Sequence, residues 1–212
     1  MPSAAPSSHA LQCRCGRLRG LLRPTRPANR CVCYCADCQA FARHLGQAEA
    51  VLDAHGGSDI IQVLPAHLSF SQGLDQLACL RLSDKGLLRW YAACCRTPIG
   101  NTAPGRSMSF VGLLHCGLRA DPVSLDQAFG PVRMRVNTAS ATAVTGAPGA
   151  GAPVASGQLR GIAKVLVMMA GARLSGSYLR NPFFEAVSGE PIVRPQLLTA
   201  EQLAAARASP GR

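Results

Sequence analysis

Cys31, Cys33, Cys35 and Cys38 fall within the run RCVCYCADCQAF, Arg30 to Phe41, and four thiols so close in sequence are suited to gathering a metal ion. Cysteines two apart on an extended strand rarely bridge one another without strain, whereas C-x-C and C-x-x-C turns present two sulfurs to one point. Zinc suits such a set, because it takes thiolates at about 2.3 Å in a tetrahedron. Two further groups, Cys13-Arg14-Cys15-Gly16 and Cys94-Cys95, strengthen the metal reading. Cys79 and Cys116 stand alone between apolar neighbours and read as small buried hydrophobes.

The C-x-C-x-x-C at Cys33, Cys35 and Cys38 is followed by Gln39-Ala40-Phe41-Ala42-Arg43-His44-Leu45, a helical stretch stopped by Gly46. Cys35 and Cys38 are thus expected at a helix N-terminus, where free backbone N–H groups and the helix dipole favour thiolate over thiol. Three thiolates on one zinc leave a fourth position for water, a substrate thiol or a carbonyl-derived oxygen. A fourth protein ligand, from Cys31 or a distant residue, would instead close the site and make it structural. Spacing alone leaves both open. His44 either shuttles protons for the cluster or caps the helix end; His55, in a turn-rich loop, either overhangs the site or is an ordinary loop residue.

The elements that must position these thiols read as mainly β. Short apolar runs bounded by turn residues predict strands at 60–63, 67–70, 77–82, 87–91 and 108–114, with 83–86 as a hairpin turn that delivers Cys94 and Cys95 beyond a strand end. Val132, Met134 and Val136 alternate with Arg133 and Arg135 as a half-exposed strand does. Asp121-Pro122 is expected to open a short helix through Phe129. Residues 137–158, rich in Ala, Gly, Pro, Ser and Thr, read as a linker or long loop between a zinc-binding β domain at 11–136 and a helical tail at 159–212. In that tail, helices are expected over 158–174 and from Thr199, with Gln202 at the capping-box position, and Phe183 and Phe184 dock the tail on the β core.

The formal net charge of +11 invites a nucleic-acid partner, but Lys85 and Lys164 are the sole lysines, the arginines are scattered singly, and aromatics for base stacking are sparse. Nucleic acid and membrane are therefore not expected as partners, although attraction for anionic substrates is. The run Val165 to Ala170 is too short for a bilayer that needs about twenty apolar residues. MPSAAPSSHALQCRC lacks the apolar core of a secretory signal, so the chain is expected in the cytoplasm with its thiols reduced.

Taken together, C-x-C-G at Cys13 to Gly16, C-x-C-x-x-C at Cys33 to Cys38, and C-x-T-P at Cys95 to Pro98 followed by Ile99-Gly100 resemble the glutathione-dependent formaldehyde-activating enzyme and centromere protein V family. The resemblance covers roughly residues 11–136. It implies a tent-like β fold with two zinc sites, Cys13, Cys15 and Cys95 taking structural positions and Cys33, Cys35 and Cys38 the catalytic ones. It also implies carbon–sulfur lyase chemistry on a glutathione or other thiol adduct of the S-hydroxymethylglutathione type. Arg43, Arg96 and Arg30, near the motifs in sequence, are the arginines placed to hold substrate carboxylates.

The chain departs from the family pattern where the first cysteine of the later C-x-x-C falls on Ala92 and the following glycine on Arg96. Cys94 or Cys31 would have to complete the structural site. Vicinal cysteines fold back poorly on one ion, and Cys31 serves only if its strand passes nearby. The alternative to an enzyme is a zinc-stabilised module that contacts a protein or an anionic partner.

Overall fold

The C-x-C-G motif forms the turn of a hairpin: β1 (His9–Gln12) runs into Cys13, and β2 (Arg19–Leu22) returns antiparallel with Ala10 opposite Leu21. Gly16 makes the reversal possible, since its φ of +78° lies where a side chain is strained. The structure is a computed structural model, and it describes residues 8–23, 28–119, 124–142 and 151–208.

The chain continues through β3 (Asn29–Cys33), α1 (Ala36–His44), α2 (Ala48–Val51), β4 (Ser58–Val63), β5 (Leu68–Gln72), β6 (Leu77–Arg81), β7 (Leu88–Ala92), β8 (Thr97–Thr102) and β9 (Val111–Leu114). It then forms β10 (Leu118–Arg119), α3 (Leu125–Phe129), β11 (Met134–Val136), α4 (Gln158–Leu174), β12 (Gln196–Leu197) and α5 (Ala200–Arg207). The fold is mainly β, with small helices and helices near the C-terminus. One sheet has the order β10-β1-β2-β5, the other β11-β3-β4-β9-β8-β7-β6-β12.

Alternation along the large sheet separates its two faces. Ile61, Val63, Leu88, Trp90 and Ile99 face the main core together with Leu11, Leu22 and Leu68 from the small sheet. On the opposite face, Leu80 and Leu82 pack under Ala40, Phe41 and Leu45 of α1, while Ile60 and Leu114 pack against Cys33 and Cys38. The helix that begins at the cysteine cluster thus lies across the sheet.

The segment after 159 is built into this architecture. Phe183 is fully buried, its ring 4.9 Å from Trp90 and 5.6 Å edge-on from Phe70. β12 adds parallel to β6, and α5 starts at Thr199, whose side chain accepts the Gln202 N–H in a reciprocal capping box. α3 begins later than the sequence suggests, because Ser124 and Gln127 form its capping box; Asp121 and Pro122, expected to open it, lie outside the described residues. Likewise β9 starts at Val111 rather than Met108. Among the described residues no helix is long and apolar enough to cross a membrane.

Candidate metal centres

Two thiol clusters form, one at the hairpin turn and one at the start of α1. In the first, the Cys13, Cys15, Cys94 and Cys95 sulfurs all lie within 4.8 Å of one another. Cys13 is 3.6 Å from Cys15 and 3.8 Å from Cys94; Cys94 is 3.3 Å from Cys15 and 3.9 Å from Cys95. A tetrahedron of thiolates at about 2.3 Å from its centre has edges of about 3.8 Å, so these four could hold a metal ion as a complete shell. The Leu18 N–H donates to Cys13 Sγ at 3.3 Å, and the Thr97 hydroxyl lies 3.1 Å from Cys95 Sγ while accepting the Arg14 N–H at 3.0 Å.

Cys94, one of the two candidates to complete the site, joins this cluster beside its neighbour Cys95, although vicinal cysteines fold back poorly on one ion. The reason is local. Ala93 to Arg96 form the tight turn between β7 and β8, and Arg96 takes the left-handed conformation, φ +56°, which brings both thiols to the same side. Ala92, where the family pattern has a cysteine, is the last residue of β7 and fully buried in the main core. Burial pushes the Cys95 thiol up, but bonds from the Thr97 hydroxyl and from backbone N–H groups outweigh it and bring the group down to about 6. Burial and the bonds to Cys15 and Cys13 push Cys94 up to about 12.

In the second cluster the Cys33, Cys35 and Cys38 sulfurs also lie within 4.8 Å of one another. Cys33 ends β3 and Cys35 caps α1, its sulfur accepting the Cys38 N–H at 3.3 Å. The Asn137 amide donates to Cys33 Sγ at 3.3 Å, and the buried Arg89 guanidinium reaches Cys38 Sγ at 3.9 Å. Bonds from Cys35 and then Cys38 hold Cys33 far below the usual thiol range. The same bonds raise Cys35 and lift Cys38 well above its ordinary value. The three sulfurs thus hold their protons unequally, Cys33 giving its proton up most readily. A divalent cation would displace the remaining protons and bind all three sulfurs as thiolates. Cys33 and Cys38 are buried and Cys35 is half-buried, so the cluster meets solvent on the Cys35 side.

Cys31 belongs to neither cluster. It lies two residues before Cys33 on β3, buried between Ile60 and Met134 of the flanking strands, and its sulfur is not among those that converge in either cluster. Burial pushes its thiol up to about 12, as it does for the lone Cys79 and Cys116.

Arg30 is committed to Asp59, with Nη2 to Oδ2 at 2.6 Å, and to Asp126. Arg43 donates to Gln39 Oε1 at 2.8 Å, and Arg96 to the His44 carbonyl. His44 sits in the last turn of α1, and the His55 ring bonds the Thr142 carbonyl at 3.0 Å.

Sequence reasoning missed Arg89 and Asn137. The signal for Arg89 was an arginine inside the apolar run Leu87-Leu88-Arg89-Trp90-Tyr91, where a strand facing core on both sides must give it a partner. Asn137 stands just past the strand that the alternation at 132–136 predicts, at the first position of the expected linker.

A family model described as a family of unknown function, DUF6151, matches residues 7–194, a span that contains both clusters, Arg89 and Asn137. This chain belongs to that family. The DUF6151 match ends before α5. Among solved structures, the crystal structure of a Rhodobacter sphaeroides protein is similar with a TM-score of 0.39 and 16% identity, covering 56% of this chain and 93% of that one. No curated protein matches the chain.

Proposed function

We propose that this DUF6151 protein is a cytoplasmic zinc protein with a closed structural site at Cys13, Cys15, Cys94 and Cys95 and an open site at Cys33, Cys35 and Cys38, where it acts as a carbon–sulfur lyase on a thiol adduct. The activity is that of the formaldehyde-activating enzyme and centromere protein V family, whose motifs the chain resembles. One observation carries the reading. Three sulfurs converge at the start of α1, and among the described residues no fourth Cys, His, Asp or Glu joins them.

A Lewis acid held there would stabilise negative charge on a substrate sulfur. For an S-hydroxymethyl adduct the reaction balances without redox change: the hydroxyl loses its proton, its oxygen forms the carbonyl of formaldehyde, and the C–S electron pair leaves on sulfur as thiolate. Cys33, Cys35 and Cys38 hold the ion. Asn137 and the α1 N-terminus fix two of those sulfurs in place, which second-layer partners of metal ligands commonly do. Glutathione is the substrate thiol that the resemblance suggests.

A second reading, a zinc-folded module that binds a partner, is favoured by the exposed apolar side chains Leu159, Ile162, Leu166, Val167 and Leu174 of α4. Metal analysis and turnover of the Cys38→Ser variant separate the two. The lyase reading expects a folded protein that loses one of two zinc ions and all turnover. A native protein that carries zinc at both clusters yet leaves S-hydroxymethyl thiol adducts untouched would favour the module.

A further inference from the structure

Arg89 is nearly excluded from solvent, its side chain 4% exposed, and a buried guanidinium must find compensating negative charge. The carboxylate at hand is poor. Asp37 Oδ2 is 4.0 Å away on a side chain 39% exposed, and its other oxygen is held at 2.9 Å by Arg207 of α5. Asn101 on β8 accepts from Arg89 at 3.3 Å and the Phe41 ring lies 5.4 Å from the guanidinium carbon, but both are uncharged. Among the described residues, the remaining polar neighbour is Cys38 Sγ at 3.9 Å.

Charge counting gives this contact a purpose. Three thiolates around a divalent ion leave one negative charge, and a substrate thiolate in the fourth position would make it two in a largely buried setting. We propose that Arg89 is a positioning residue that neutralises the three-thiolate centre through Cys38, so that its open position accepts an anionic sulfur ligand in preference to a neutral one. Asn101 from the sheet and Phe41 from α1 hold the guanidinium in place from two elements, so its charge is fixed rather than mobile. The proposal rests on the open-site reading above and adds the class of ligand that the site selects.

The test uses the full-length protein loaded with cobalt(II), with 2-mercaptoethanol as the anionic sulfur probe and imidazole as the neutral one, binding being read from the cobalt absorption bands. The wild type is expected to bind the thiol probe, with new sulfur-to-cobalt charge-transfer absorption, more tightly than imidazole. Arg89→Met should weaken the thiol probe by about tenfold or more, the usual range for second-layer changes, while imidazole affinity changes little; Arg89→Lys should restore most of the loss.

Equal weakening of both probes in Arg89→Met, or none, overturns the role of Arg89. If Arg89→Met does not fold, Arg89→Lys and the wild-type preference decide. Wild-type protein that prefers imidazole overturns the proposal, and so does Arg89→Lys that loses the thiol preference although its charge is kept. Failure of the Cys33 cluster to take cobalt at all would instead overturn the open-site reading on which this rests.

Discussion

The side-chain amide of Asn137 donates to Cys33 Sγ at 3.3 Å across a sequence separation of 104 residues. The contact exists because β11 runs parallel beside β3 with Val136 opposite Cys33, so the next residue after the strand lands over the cluster. Asn137 makes this turn in the left-handed conformation, φ +56°, which asparagine tolerates better than most residues. Asn137→Gly keeps the backbone and deletes the amide. It is expected to lower zinc affinity at the Cys33 cluster by about tenfold in chelator competition while leaving thermal stability nearly unchanged.

Cys94 and Cys31 were rival candidates to complete the first site, and they should separate cleanly. Cys94→Ser is expected to remove one zinc and to lower the melting temperature markedly, because metal binding at a structural site is folding free energy. Cys31→Ala should keep the full zinc content and cost only the packing of one small buried group, about 1 kcal/mol. Elemental analysis and thermal denaturation of both variants check this.

Arg96 pays for its place in the β7–β8 turn with a left-handed backbone, a conformation costing an L-residue about 1–2 kcal/mol. Arg96→Gly and Arg96→Ala both lose the bond to the His44 carbonyl, so their difference reports the backbone alone. The glycine variant should be the more stable by about 1 kcal/mol in denaturant unfolding.

Stability should fall on mild acidification for a reason independent of the metal. Burial lowers the protonation of His9, and burial followed by the charges of Arg180 and Arg23 lowers that of His67, whose buried Nδ1 has no hydrogen-bond partner among the described residues. Above their ordinary value of 6.5 both histidines are neutral folded or unfolded, and no penalty arises. Below it the unfolded chain takes up protons that the folded chain refuses, so stability drops from 6.5 down to the lower folded values and then levels off. The melting temperature of zinc-saturated protein should decline over that window, and His67→Gln should flatten the decline. Zinc content measured at each pH separates this effect from proton-driven release.

Much of the candidate site was legible because its signal is local. Cys33, Cys35 and Cys38 are tied by a strand end and a helix start, which turn and capping chemistry announce in sequence, and the start of α5 follows from its Thr199–Gln202 capping box. What was hidden depends on non-local pairing. β12 and β10 are two-residue strands with no pattern of their own, and the reach of Arg89 to Cys38 arises only when α1 crosses the large sheet. The sharing of one cluster by Cys94 and Cys95 turned on the left-handed conformation of Arg96, which residue type alone would not suggest.

X-ray absorption at the zinc edge of the native protein, together with zinc content per chain, tests the central claim most directly. Two zinc ions per chain are expected from the two clusters, one bound by four sulfurs and one by three sulfurs and a lighter atom, which averages to about 3.5 sulfurs at about 2.3 Å for each zinc. Four sulfurs on every zinc, or a single zinc per chain that Cys38→Ser leaves in place, would contradict an open metal centre at the start of α1.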